Sequence, residues 1–600
     1  MPMRAFACAL ALLFPLAAAA ETCQEPKGTR IWLSPAAPHA GAPLRILAVS
    51  EDELPGEIVI VGAEKDPRPL STTQRGGPPF SLSAELRVKA GSLRVEIRNG
   101  GTTTACRRVI VDAKPAKVET KPPGDGAWIG KNAWTPAYEA YFSAWIEALF
   151  DAPADTNLSF PSLAPVIRDP GRNLLWGHLG LDEDNPKNRG IAKATPDCAD
   201  LPYYLRAYFA WKMNLPFALR DCDRGKPDRP PRCGEILHNE QPAPGSDRLS
   251  RFKAFLSTLA NRVHSGSART ALSDGQTDFY PVPLDRKSLR PGTIYADPYG
   301  HVLMVAKWID QTANRGGLLL AVDGQPDNSV GRKRFWEGTF LYTNDSPSAG
   351  PGFKAFRPIE RGQDGAIAQL PNATLATDRR FAAFSDEQGK LGRDAFYARM
   401  AKVINPKGLD AATAYRETMG ALLEQLVTRV GSVENGEKFM REKRNPVVPM
   451  PTGPKIFETT GPWEDYATPS RDMRLLIALR VLAELPARIE AHPELFILGA
   501  KSPKDARAEI EALHQSEIKK QGIDYRRSDG STFRLTVADL ITRREALGMA
   551  YNPNDCVEVR WGATPGSPDH ATCQRHAPDE QVQQMRNYLP WFQETRRPPR

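Results

Sequence analysis

Beyond its first twenty residues the chain has no apolar run near the roughly 20 residues that a spanning helix needs. It has no lysine and arginine run interleaved with aromatics, the pattern that argues for nucleic acid. A glycine-rich phosphate cradle and a serine nucleophile elbow are both missing. So is the close cysteine pairing of zinc sites: Cys222, Cys233 and His238 would need a fourth ligand. These absences leave no membrane span, nucleic-acid partner, cofactor or metal to expect, and nothing fixes an oligomeric state. What is there is a globular composition, 41% hydrophobic and 25% charged, with a net charge of +8. That mild basic excess suits anionic polymers without specifying one. The 54 prolines imply long connecting loops.

The first twenty residues carry one charge, Arg4, then an apolar run from Ala5 to Leu16 and the small residues Ala17 to Ala20. This reads as a signal peptide cleaved before Glu21, taking Cys8 with it. A protein exported by a bacterium, periplasmic or secreted, is expected. Of the 8 cysteines, seven then remain, and six of them sort into local pairs: Cys23 with Cys106, Cys222 with Cys233, Cys556 with Cys573. Cys198 is left over, and an oxidising compartment rarely spares an idle thiol. The alternative pairing joins Cys198 to Cys222 and frees Cys233.

The length implies several domains. Residues 21–113 read as an all-β, immunoglobulin-like sandwich: Pro43–Val49 and Glu57–Val61 are short apolar runs, and Leu93–Ile97 alternates. Cys23 and Cys106 would join its first and last strands. Residues 114–126, rich in proline, lysine and glycine, form a linker. The region 127–360 has helices first and strands later, an α+β order. Its helices are expected over Ala133–Phe150 and Leu201–Leu215, and its adjacent strands over Val302–Trp308 and Gly317–Asp323, with a further strand over Phe335–Tyr342. Residues 375–600 read as mainly helical. Ala411–Val430 and Ser470–Leu485 are the clearest segments, and Met419, Leu422, Leu423, Leu426 and Val427 form one core-facing stripe. The tail from Arg596 reads as disordered.

Cys198 stands where a helix begins, in Thr195-Pro196-Asp197-Cys198-Ala199-Asp200-Leu201. A helix N-terminus favours the thiolate, so a thiol that ionises easily is expected. Either Asp197 or Asp200 can cap this helix. With Asp197 as the cap, Pro202 lies five residues in and costs a backbone hydrogen bond. His301 opens an apolar strand and Asp323 ends the next. A hairpin would return Asp323 to the same end of the sheet as His301. The carboxylate would then fix the imidazole tautomer and leave the other ring nitrogen for a thiol. Cysteine, histidine and acid in that order make Cys198, His301 and Asp323 the candidate catalytic set. The insertion from Asp221 to about Lys287 is expected to fold over the site and shape it.

Asp197-Cys198-Ala199-Asp200-Leu201, with an aromatic helix ending Met213-Asn214-Leu215-Pro216, resembles the nucleophile helix of NlpC-type peptidases, a papain-like family. Pro291-Gly292-Thr293 resembles the family's Pro-Gly-Asp opening of a strand, and Gly300-His301-Val302-Leu303-Met304-Val305 resembles its histidine strand. The resemblance implies a papain-like central domain, Cys198 as nucleophile, His301 as base and a third polar residue near Asp323. It also implies cleavage of a peptide or amide bond, with a peptide or cell-wall polymer as substrate. Ala199-Asp200 stands where that family has Ser-Gly. The order is similar to transglutaminase-like proteins too, which implies acyl transfer; here Leu303 stands where those often have tryptophan. A non-catalytic cell-envelope scaffold of the same fold is the alternative from a different class.

Overall fold

The computed structural model describes residues 23–62, 67–187, 195–344 and 350–598. The expected signal segment lies outside them. The chain is multidomain, β-rich at its N-terminal end and helical at its C-terminal end.

Residues 29–111 form two four-stranded antiparallel sheets. One runs in the order Thr29–Ser34, Pro43–Ser50, Phe80–Arg87, Thr73–Arg75. The other runs Arg68–Pro69, Glu57–Val61, Gly91–Asn99, Thr102–Val111. Leu93, Val95 and Ile97 point inward at alternate positions and meet Leu44, Ile46 and Leu82 of the facing sheet. The strand Pro43–Ser50 is mostly apolar because both its faces are covered, and its buried Arg45 donates to the carbonyls of Pro170 and Trp176. Its Leu47 and Val49 belong to a second core, with the helix Pro136–Leu149, and Trp32 stacks on Tyr141 beside them at 4.5 Å between ring centroids. The disulfide Cys23–Cys106 ties the last strand to the segment ahead of the first strand, rather than to the first strand itself.

Two buried helices and a seven-stranded antiparallel sheet make the centre, with the helix Arg248–Arg262 packed against them through Phe252 and Leu259. Thr135 caps the helix Pro136–Leu149 and presents Tyr141, Phe142 and Trp145 to Phe209 of the helix Asp200–Lys212. That second helix is almost wholly buried, which is why it is apolar on nearly every side. Lys212 at its end has no exposed side-chain surface; its ammonium lies 2.5 Å from both Glu183 and Asp184. The sheet runs in the order Phe279–Pro281, Gly352–Phe356, Ile294–Ala296, Val302–Ile309, Leu318–Gly324, Val330–Arg334, Ser159–Phe160. Val302–Ile309 and Leu318–Gly324 pair antiparallel, Met304 opposite Val322, as the hairpin reading expects. Both their faces are buried. Met304 and Val322 face the two helices, and Leu303 and Ala321 face a third core with Phe396 and Met400.

Phe335–Tyr342 is not a strand. The chain turns on the Trp336 carbonyl, which accepts from Thr339 and Phe340 N–H, and Phe340 drops into the core. The strand lies just before it, in the basic stretch Val330–Arg334, where polarity hides it.

The C-terminal region is built on the helices Ala411–Glu442, Pro469–Ala491, Pro503–Lys520 and Asp579–Gln593. Leu422 and Leu426 are buried, but Val427, expected in the same stripe, is 55% exposed. Arg429 takes the inward position there and grips Asp472 through two hydrogen bonds of 2.7 and 2.9 Å. In the tail, expected to be disordered from Arg596, Arg597 is held by hydrogen bonds, as described below. No helix among the described residues is long and apolar enough to cross a membrane.

Candidate active site

The sulfur sits at the start of the buried helix. Asp197 is the working cap: its Oδ1 accepts the N–H of Ala199 at 2.8 Å and of Asp200 at 2.9 Å, and its carbonyl accepts that of Leu201. Pro202 therefore lies inside the first turns, and its missing N–H leaves the Cys198 carbonyl without a helical partner. Cys198 is the one free cysteine among the described residues; the other six form the three expected pairs.

The imidazole arrives from a tight turn. Gly300 N–H donates to the Asp297 carbonyl, and Gly300 adopts φ +97°, which a side chain there would resist. His301 follows at the mouth of the strand Val302–Ile309. The neighbouring strand delivers Asp323 to that same end, and His301 Nε2 lies 2.8 Å from Asp323 Oδ2. With Nε2 engaged, Nδ1 is the ring nitrogen left over. The carboxylate is buried and the imidazole half-buried.

Gly324 brings the two halves together. A Cβ there would lie 2.6 Å from the Pro196 carbonyl oxygen and 2.7 Å from that of Asp197. Only glycine lets the backbone before the cysteine rest directly on the end of the Asp323 strand. Cys198, His301 and Asp323 thus line one cleft of about 810 Å³. No hydrogen bond joins the sulfur to the imidazole in this resting arrangement.

The electrostatics correct one expectation. The Cys198 thiol is not primed to ionise but pushed well up. Burial is the main cause and the Asp197 carboxylate the next; Asp323 and Asp200 add to it, while the Val302 N–H works the other way. The helix N-terminus does not rescue the thiolate because Asp197 occupies its N–H groups. Burial also raises Asp200, to about 8, with Asp197 beside it, and its Oδ1 has no hydrogen-bond partner. Asp323 goes the other way. Burial opposes its charge, but Lys333, the His301 hydrogen bond and Arg474 outweigh that and hold its carboxyl below the usual range.

A second layer comes from regions in which the sequence marks no chemistry. Gln325 Nε2 donates to Asp323 Oδ2, and Arg471 of the helix Pro469–Ala491 donates to Gln325 Oε1 at 3.3 Å. Arg474 donates to the Thr339 carbonyl at 2.7 Å and pairs with Asp297. Arg597 donates at 2.6 Å to both the Tyr299 carbonyl and Ser470 Oγ. The helical region is therefore one wall of the cleft. The insertion supplies another edge through Arg224, His264 and Ser265, and His264 Nε2 meets the carbonyl of the disulfide-bonded Cys222 at 2.8 Å. Arg471 and Gln325 were not legible as site residues; an arginine on an amphipathic helix looks like any solvated position.

Two groupings are close enough for a metal among the described residues: His570 with Cys573 and His576, and Cys556 with Glu558 and Cys573. Both rely on Cys573, whose sulfur is bonded to that of Cys556. Compared with known proteins, the chain matches no family model, no curated protein and no solved structure.

Proposed function

We propose that this chain is a papain-like cysteine hydrolase, related to NlpC-type peptidases, that cleaves a peptide or amide bond. The observation that carries the reading is the 2.8 Å His301–Asp323 pair opening onto the same cleft as the one free thiol among the described residues. Asp323 orients the ring, and Nδ1 takes the thiol proton as sulfur attacks the carbonyl. Because the resting thiol is pushed up, deprotonation belongs to the attack itself. The C–N bond then breaks, the imidazolium hands its proton to the leaving amine, and an acyl-enzyme remains. Water, deprotonated by the same imidazole, hydrolyses it. The Cys198 N–H serves as one oxyanion donor by analogy with the family. A peptide or cell-wall polymer is the substrate this reading favours. Three disulfides fit a periplasmic or secreted setting.

The raised thiol favours a second reading, a scaffold that keeps the fold without the chemistry, and one experiment decides between them. Cys198 is alkylated with iodoacetamide near neutral pH and the rate is read from its peptide by mass spectrometry. General-base assistance is worth roughly 10²–10⁴-fold in catalysis, so His301→Ala should slow alkylation at least about tenfold. Asp323→Asn should fall between. Equal rates in wild type and His301→Ala would leave the scaffold.

A further inference from the structure

Resting on the hydrolase reading, we propose that Arg597 is a positioning residue for His301. It reaches the site from beyond the helix Asp579–Gln593, holds the turn that carries the imidazole, and so aims Nδ1 at the sulfur. The turn is the short link Asp297-Pro298-Tyr299-Gly300 between the paired strands Ile294–Ala296 and Val302–Ile309. From inside it is closed by hydrogen bonds. Asp297 N–H donates to the His301 carbonyl at 2.8 Å, Gly300 N–H to the Asp297 carbonyl at 3.1 Å, and Tyr299 N–H to Asp297 Oδ1 at 2.6 Å. These bonds fix the shape of the turn but not its tilt against the cleft. With glycine at φ +97° next to His301, the link itself resists tilting little.

The tilt is set from outside. The Arg597 guanidinium donates to the Tyr299 carbonyl and to Ser470 Oγ, both at 2.6 Å. It lies 5.4 Å from the centroid of the Tyr299 ring, 4.5 Å from that of Phe457, and 3.7 Å from Glu458. One planar group thus ties the turn to the start of the helix Pro469–Ala491 and to the chain ahead of it. Its side chain is only 12% exposed, so these partners stand in for water around the charge. Arg474 grips the same turn through Asp297, but it also holds the Asp323 carboxyl down, so its loss would mix two effects. The tilt matters because the imidazole meets Asp323 through Nε2 alone. A ring held at one nitrogen can pivot about that bond and swing Nδ1 off the sulfur; a fixed His301 backbone removes the freedom. A misplacement of about 1 Å in such an arrangement costs up to about 100-fold in rate.

The test is a cycle of Arg597→Met and His301→Ala, singly and together, in the full chain, with the rate of Cys198 alkylation by iodoacetamide as the readout. Methionine keeps an apolar stem and loses the donors. With His301 present, Arg597→Met should slow alkylation about five- to tenfold; in the His301→Ala chain it should change the rate less than about twofold. Arg597→Lys, which keeps the charge and a donor, should restore part of the rate, and it carries the cycle if Arg597→Met does not fold. No loss with His301 present, or a loss of the same size in both chains, overturns the proposal. A second readout is independent of the thiol: NMR of the chain with histidine carbon-13-labelled at Cε1. The His301 signal, identified by its absence from His301→Ala, should move or broaden in Arg597→Met. That of His514, buried in the helical region against Tyr415, should stay. An unmoved His301 signal overturns the positioning role, and movement of both signals assigns Arg597 to the stability of the helical region instead. If alkylation of the unaltered chain ignores His301, the hydrolase reading fails and the His301 signal alone decides the role of Arg597.

Discussion

The two ends of the helix Asp200–Lys212 treat charge in opposite ways. At one end Lys212 is buried against two carboxylates, Glu183 and Asp184, and Tyr208 donates to Asp184 at 2.7 Å. Every charge there has a partner. At the other end Asp197, Asp200 and Asp323 surround a thiol, and no lysine or arginine among the described residues is hydrogen-bonded to any of the three; Asp323 meets the His301 imidazole instead. The first end is a compensated network that holds the fold. The second is an imbalance that the fold sustains, and such imbalances gather where chemistry happens.

The hardest way to break the compensated end is Lys212→Met. It strands two buried carboxylates, and losing one partner of a buried pair costs about 3–5 kcal/mol. Denaturant unfolding should show that loss, and adding Glu183→Gln with Asp184→Asn should restore much of it. Restoration would mark the network as replaceable by neutral packing. If Lys212→Met alone cost nothing, the compensation would be illusory.

Gly324→Ala attacks the junction between the two parts of the site. The new methyl would meet two backbone carbonyls at 2.6 and 2.7 Å, and overpacking of this kind costs about 1–3 kcal/mol. Alkylation of Cys198 should lose its dependence on His301 even where the variant stays folded. Retained dependence would mean that the close approach is incidental.

The smallest effect sharpens the comparison at the thiol end. Below pH 4 Asp200 is protonated in both folded and unfolded chains. Between its ordinary pKa of 3.8 and about 8 only the folded chain keeps that proton, so folding loses stability as pH rises across this window. Asp200→Asn removes that slope. Its advantage over wild type should be near zero at pH 4 and reach about 1–2 kcal/mol at pH 8, well below the full linkage value because the group is part-exposed. A constant offset across pH would count against a protonated Asp200. Cys198 alkylation above pH 8 should also quicken in the variant, since one carboxylate near the sulfur is gone.

Much of this was legible in the chain because the signals were local. Cysteine order suggested the three pairs that are found, with a Cys198–Cys222 alternative left open, and apolar runs marked the two strands that run between His301 and Asp323. The order of the residues brought His301 and Asp323 to one sheet end, since a hairpin must return to where it began. The thiol's ionisation was misjudged because the dipole argument omits burial, the main cause, and then the cap: the residue that starts the helix, Asp197, is also an anion that opposes the thiolate. Arg471 and Gln325 stayed hidden for a different reason. Their role depends on a contact across 146 positions, and no periodicity within one helix records what lies opposite it. Val330–Arg334 was missed because its lysine and arginines obscure the alternation, although Val330, Gly331 and Arg332 are all buried.

The spacing between the Cys198 sulfur and the Asp323 carboxylate is set by main chain touching main chain at position 324, with no side chain in between. Interior apolar residues behind either segment can therefore drift in size, over evolution or in a laboratory library, while thiol, imidazole and carboxylate keep their places. Robustness of the site's geometry and plasticity of the core then become separable properties, joined through a missing methyl group.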